Sequence, residues 1–273
     1  DIGDFYYTPP TGYLALCTSN LPDVAVTPSE HFNTITYSGD STNRTLTGVG
    51  FTPSFTWIKS RSNGTNGSDH WLFDAVRGVN AFKGLCSNGT SVEGEAAATS
   101  LQENFGDISA FTSDGYSVYR STADSSHQYE GVNNSGETYV AWNWKANGSG
   151  SSNTDGGLTS TVSANVDAGF SIATFTGNGS DVSFGHGLSK APELVITKGR
   201  SFADGWHTQV YPIIAATKTL RLDTTGAETT SNAFNNGGAT SSVVYISSGY
   251  ASSGRTLVAY CFHSVDGYSK VGS

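Results

Sequence analysis

The chain repeats itself, and that repeat limits what it can fold into more than any other feature. Phe55-Thr-Trp-Ile-Lys-Ser-Arg-Ser62 lies over Leu194-Val-Ile-Thr-Lys-Gly-Arg-Ser201 at an offset of 139 (194 − 55), with Pro53 over Pro192. Upstream, Gly48-Val-Gly-Phe51 matches Gly185-His-Gly-Leu188, and Phe32, Tyr37, Ser38 and Gly39 match Phe170, Phe175, Thr176 and Gly177. Downstream, Gly136-Glu-Thr-Tyr-Val-Ala-Trp-Asn-Trp144 matches Gly254-Arg-Thr-Leu-Val-Ala-Tyr-Cys-Phe262 at an offset of 118 (254 − 136). The first copy therefore holds about 20 more residues (139 − 118) inside its last two blocks. Four blocks in one order, with one chemistry, indicate a duplication.

The organisation expected from these blocks is a leader over residues 1–30, a first repeat over 31–146, a linker over 147–167 and a second repeat over 168–273. The leader carries Tyr6-Tyr7-Thr8-Pro9-Pro10 and Pro22. Proline fixes φ and restricts the residue before it, so this stretch is expected to be extended. From Asn147 to Gly157 the linker has no apolar side chain and reads as flexible. The chain starts at Asp1 and contains no Met, and it reads as a processed product or a piece of something longer.

Within each repeat, short runs of Val, Ile, Thr, Phe, Tyr and Trp are separated by Gly, Asn, Asp or Pro, which is the pattern of strands and turns. In the second copy strands are expected near 171–176, 182–184, 194–198, 207–211, 219–222, 242–246 and 256–263. Tyr139 and Ala141 alternate with Val140, Trp142 and Trp144, the period of a half-buried strand. Helical appetite is confined to Glu93–Leu101 and Leu72–Val76. The expected fold is all-β: two tandem β-sandwich, jelly-roll-like repeats in an elongated pair, with an extended N-terminal leader.

Charge narrows the function classes. With 14 Lys and Arg against 23 Asp and Glu, the net charge is −9, which repels phosphate, so nucleic acid is not an expected partner. No apolar run approaches the ~18 residues of a membrane-spanning helix. The three cysteines, Cys17, Cys86 and Cys261, are too few for a disulfide framework and read as buried small hydrophobes. The six histidines fall at no metal-ligand spacing, so neither metal nor cofactor is expected. Seven Asn-x-Ser/Thr sequences, at Asn43, Asn63, Asn66, Asn88, Asn133, Asn147 and Asn178, are read as exposed loops.

Three constellations bear on chemistry. A glycosidase needs two carboxylates in one cleft; Glu93, Glu95, Glu103 and Asp107, and Asp69 with Asp74, are the available acids, and they read as solvated loop residues. No nucleophile motif is present, so no catalytic residue is assigned. The third is Asp69-His70-Trp71 and Asp204-Gly-Trp206-His207, which align at an offset of 135 (206 − 71). A Trp that stacks on a sugar face, beside groups that bond its hydroxyls, is the equipment of glycan binding. Asp69, His70, Trp71, Asp204, Trp206 and His207 are the glycan-binding candidates, and the competing reading places both indoles in sandwich cores.

Several phrases carry a resemblance: Tyr7-Thr-Pro-Pro-Thr-Gly-Tyr-Leu-Ala-Leu-Cys-Thr-Ser-Asn-Leu-Pro22, Asp74-Ala-Val-Arg-Gly78, Ser135-Gly-Glu-Thr-Tyr-Val-Ala-Trp-Asn-Trp144, and Val258-Ala-Tyr-Cys-Phe262 with Gly267-Tyr-Ser-Lys270. In these the chain resembles a repeat domain of unknown function found in very long proteins of marine bacteriophages. The resemblance implies that Asp1 begins at the tail of a preceding, concanavalin-like sandwich domain, and that the chain is a virion surface component such as a tail fibre, adhesin or capsid decoration. It brings no catalytic residues, and Tyr211-Pro-Ile-Ile214 stands where the Asp74/Arg77 pair would recur.

The leading expectation is a non-enzymatic virion surface protein that displays loops for host attachment. Its expected partners are other virion proteins, copies of itself in a homo-oligomer (a trimer first) and a host surface glycan, with no membrane insertion. A carbohydrate-binding module or lectin is the alternative, and a polysaccharide depolymerase the third.

Overall fold

The computed structural model describes residues 6–7, 10–11, 26–62, 69–79, 83–94, 107–119 and 131–272. Cys17, Glu95 and Glu103, most of the leader and residues 95–101 of the expected helix lie outside them. Among the described residues there is no α-helix; the chain is antiparallel β-structure with one 3₁₀ turn at Pro28–Glu30. The first repeat supplies β1 (Phe32–Ser38), β2 (Arg44–Leu46), β3 (Phe55–Ser60), β4 (His70–Asp74), β5 (Leu85–Cys86), β6 (Asp107–Thr112), β7 (Gly115–Tyr119) and β8 (Thr138–Trp144). The second half supplies β9 (Ser151–Asn153), β10 (Ser160–Asn165), β11 (Phe170–Thr176), β12 (Val182–Gly185), β13 (Leu194–Gly199), β14 (His207–Val210), β15 (Lys218–Arg221), β16 (Thr229–Thr230), β17 (Phe234–Ala239), β18 (Val243–Ile246) and β19 (Thr256–Phe262).

The duplication reappears strand for strand. The large sheet of the first repeat runs β1-β8-β3-β4-β5, and that of the second contains β11-β19-β13-β14-β15 in the same order. The small sheets, β2-β7-β6 and β12-β18-β17, correspond in the same way. Even the glycines that end β1 and β11 match in cause. A Cβ on Gly39 would meet the Asn134 carbonyl oxygen at 2.0 Å, and one on Gly177 that of Ala251 at 2.3 Å. Each repeat is thus a β-sandwich, its small sheet packed on one face of its large sheet.

The sandwiches are not strung out end to end. Ile58, Trp71, Phe73, Tyr139 and Ala141 face the small sheet of the first repeat, and Ala173, Phe175, Leu257, Ala259 and Cys261 face that of the second. The alternate positions, Phe55, Leu72, Phe170, Ile172, Val258 and Tyr260, form a third core between the two large sheets. Four β layers are therefore stacked, and both large sheets are apolar on both faces. This corrects the elongated arrangement, which assumed that each large sheet had one solvated face.

Three further expectations fail. The stretch read as a flexible linker contributes β9 and β10 to the second large sheet, with β10 paired to β11 along its full length. The Ser and Asn side chains of β9 carry no apolar period, yet backbone pairing to an existing edge needs none, while β10 adds Val162 to the second core. Leu72–Asp74, read as helical, is strand β4. Asn133, read as exposed, is buried: its amide donates to Asp40 Oδ1 at 3.2 Å and to the Thr42 carbonyl at 2.7 Å. Asn43, Asn88, Asn147 and Asn178 are exposed as expected, and Asn63 and Asn66 lie outside the described residues.

Candidate functional site at the seam between the repeats

The glycan-binding candidates do not assemble into one surface. Trp71 is 1% exposed and Trp206 is 0% exposed, so neither indole presents a face to a sugar. Nor are the two rings equivalent. Strand pairing sets Ile58 opposite Trp71 and Thr197 opposite His207. Because Ile58 lies over Thr197 at the offset of 139, the counterpart of Trp71 is His207 and that of Trp206 is His70. A slip of one residue moves a side chain to the other face of its sheet. Trp71 accordingly fills the core of the first sandwich, and Trp206 enters the seam, donating from Nε1 to the Cys86 carbonyl across it at 2.8 Å.

The remaining candidates hold local structure. Asp69 is buried and accepts from Asn88 Nδ2 at 2.8 Å. His70 Nδ1 accepts from Trp57 Nε1 at 3.0 Å, and burial, then the nearby Lys59 charge, pull its pKa below the usual histidine value. His207 is buried edge-on to Tyr250 with ring centroids 4.8 Å apart, and its Nε2 lies 3.4 Å from Asp204 Oδ2. Asp204 also takes the Gly205 amide at 2.7 Å.

Two of the acids weighed as catalytic pairs, Asp74 and Glu93, are tied through Arg77 into a polar knot at the seam. Asp74 and Arg77 are both fully buried, joined at 2.5 Å, and the Tyr260 hydroxyl of the other repeat donates to Asp74 Oδ2 at 2.8 Å. Arg77 also donates to the carbonyls of Leu72 and Lys83. Glu93 meets Arg200 of the second repeat at 2.5 Å and Lys83 at 3.2 Å. Burial opposes its ionisation, but the Arg200 hydrogen bond and the Arg77 charge prevail and hold its carboxyl below the usual range. Asp107 is buried beside its own β-bulge, accepting the Ile108 amide at 2.7 Å. The reading of these acids as solvated does not hold for Asp69, Asp74, Glu93 or Asp107: folding has buried or paired them.

Lys198 is the unexpected member of the knot. It is 0% exposed, and Nζ donates to the carbonyls of Gly199 at 2.9 Å and Thr90 at 3.3 Å. Burial pushes its pKa down to about 8, against the opposing pull of Asp204 and Asp223. The folded chain thus releases this proton near pH 8, while an unfolded lysine keeps it until about pH 10.4. In that window the unfolded state binds more protons, so stability rises with pH. Urea midpoints are expected to climb between pH 8 and pH 9 and to lose that climb in Lys198→Met. Above pH 9 the buried Cys261 thiol, pushed up to about 12, offsets the climb, and above pH 10 the buried tyrosines reverse it, because the unfolded groups ionise first.

The seam also opens into a cleft of about 320 Å³. Phe55, Trp57, Trp144, Ile196, Tyr260 and Phe262 line it, with His263 and Lys270 among its few polar groups. Phe55 stacks on Tyr260 at 4.5 Å, and Trp144 lies 6.4 Å from Phe262, so the rings come from both repeats. Sequence reasoning missed this cleft, although the aromatic residues at alternate positions of β3 and β8 were its signal. A second concavity, about 480 Å³ and polar, crosses the small sheet of the first repeat between Arg44, Thr45, Ser109, Ser117 and Tyr119.

A duplicated β-sandwich whose copies share a core is the class of protein these features define. The chain belongs to the family described as a domain of unknown function, DUF7483, whose model matches residues 27–273. The match spans both repeats, in keeping with their common core, and leaves the Tyr7–Pro22 phrase outside it. No curated protein and no solved structure matches the chain.

Proposed function

We propose that this chain is a non-enzymatic surface protein of a bacteriophage virion, carried on a tail fibre or as a capsid decoration, that attaches to the host surface. The observation that carries the reading is the four-layer stack itself. It is a rigid scaffold in which Asp74, Glu93 and Asp107 are committed to internal contacts, while its polar turns and one polar groove face outward. Recognition carried on such a frame tolerates loop change. The phage phrases quoted above supply the setting. Antibody raised to the chain, with gold-conjugated secondary, is expected to decorate intact particles of the phage that encodes it. Label at tail or fibre tips supports an adhesin, even label over the head supports a decoration, and unlabelled particles overturn the virion reading.

A glycan-binding role is the second reading, and it moves from the tryptophans to the polar groove. There Tyr119 offers a partly exposed ring, and Thr45 Oγ1 and Ser117 Oγ lie 2.8 Å apart. Tyr119→Ala is expected to abolish retention on host surface polysaccharide while leaving the thermal transition in place; unchanged retention overturns this reading.

A further inference from the structure

The aromatic cleft at the open end of the seam has the size and character of a recognition site, large enough for a short peptide and lined mainly by apolar rings. Three observations say what it recognises. Aromatic-lined grooves suit proline-rich segments, whose restricted backbone loses little entropy on binding. The chain carries one such segment, Tyr6-Tyr7-Thr8-Pro9-Pro10, and its two tyrosines are 92% and 80% exposed, their rings in contact with each other. Charge is complementary: residues 1–30 contain Asp1, Asp4, Asp23 and Glu30 but no Lys or Arg, and exposed Lys270 stands at the cleft.

His263 is among the residues that line the cleft. His263 is buried, its Nδ1 lies 2.9 Å from the Ser264 carbonyl, and its Nε2 has no hydrogen-bond partner among the described residues. The leader joins the fold beside this site. His31 packs edge-on to Tyr268, next to Ser269–Val271 of the lining, and Phe32 lies 4.9 Å from Trp144. Residues 11–25 span up to ~50 Å when extended, enough to carry Tyr6–Pro10 to a neighbouring copy.

We propose that the cleft of one copy binds the Tyr6–Pro10 segment of a second copy, a head-to-tail contact. Such a contact joins two different surfaces, so it closes into a ring or propagates as a filament. This inference does not rest on the virion reading and is tested without phage.

The test is photo-crosslinking in the full chain carrying Tyr7→p-benzoyl-phenylalanine, mixed with an equal amount of isotopically heavy wild-type chain. Tyr7 is 80% exposed, so folding is not at issue. Irradiation is expected to give covalent dimers whose light residue 7 is joined to heavy Trp57, Trp144 or Phe262. A synthetic peptide of residues 1–12 is expected to compete the dimer away, as is the leader change Pro9→Ala with Pro10→Ala. Crosslinks confined within one copy, crosslinks to any other surface, or an absence of dimers at every concentration overturns the proposal.

Discussion

Asp74→Ala is expected to lower the unfolding free energy by about 3–5 kcal/mol, the usual cost of removing one partner from a buried ion pair. Arg77 is fully buried, and Asp74 is its carboxylate partner at 2.5 Å. Without it the buried guanidinium keeps Glu93, at 3.6 Å, as its remaining carboxylate neighbour, and the Tyr260 hydroxyl loses its acceptor. Tyr260→Phe is the control. It keeps the ion pair and removes one hydrogen bond to a charged group, so its cost is smaller, about 1.5–3 kcal/mol. Urea unfolding followed by tryptophan emission measures both. Because the Asp74–Tyr260 bond and the shared core join the repeats, one transition is expected in the parent chain. A loss below about 1 kcal/mol in Asp74→Ala would mean that the seam opens in solution.

Trp206→Ala is the second large effect. The ring is fully buried between the large sheets, stacks at 6.4 Å on Tyr260 and bonds the Cys86 carbonyl. Truncation leaves a cavity and removes the indole donor to the Cys86 carbonyl, and core Trp→Ala changes cost about 3–5 kcal/mol. In a chain of this size that lowers Tm by roughly 10 °C. Trp71→Ala is expected to cost as much, through the other core. A glycan-stacking role makes the opposite prediction: binding lost, with stability untouched. Differential scanning calorimetry on the two variants separates the cases.

Much of the architecture is legible in the residues, because the duplication preserves packing positions. The four matched blocks became β1/β11, β3/β13 and β8/β19 with their flanking turns, and the seven strands expected in the second copy are all present. What was illegible has two physical causes. Edge strands such as β9 are held by backbone bonds, and Ser151-Ser-Asn153 therefore looks like linker. The seam was hidden because Thr138-Tyr-Val-Ala-Trp-Asn-Trp144 carries large apolar groups on both faces, and the alternation was taken for half-burial. Tyr139 and Ala141 serve the sandwich core, while Trp144 packs against the core of the seam. The tryptophan site failed for a narrower reason. An alignment one residue out, 135 in place of 136, puts two indoles on one face when the sheets hold them on opposite faces.

The shared middle core also bears on how genes for such chains can grow. Recombination that added or deleted a single repeat would leave one large sheet without its mate, presenting Phe170, Ile172, Val258 and Tyr260, or their first-copy counterparts, to water. A naked apolar sheet of that kind is an aggregation surface. Selection would remove such odd-numbered products, so arrays built from this unit are expected to lengthen two repeats at a time, with the pair as the inherited token.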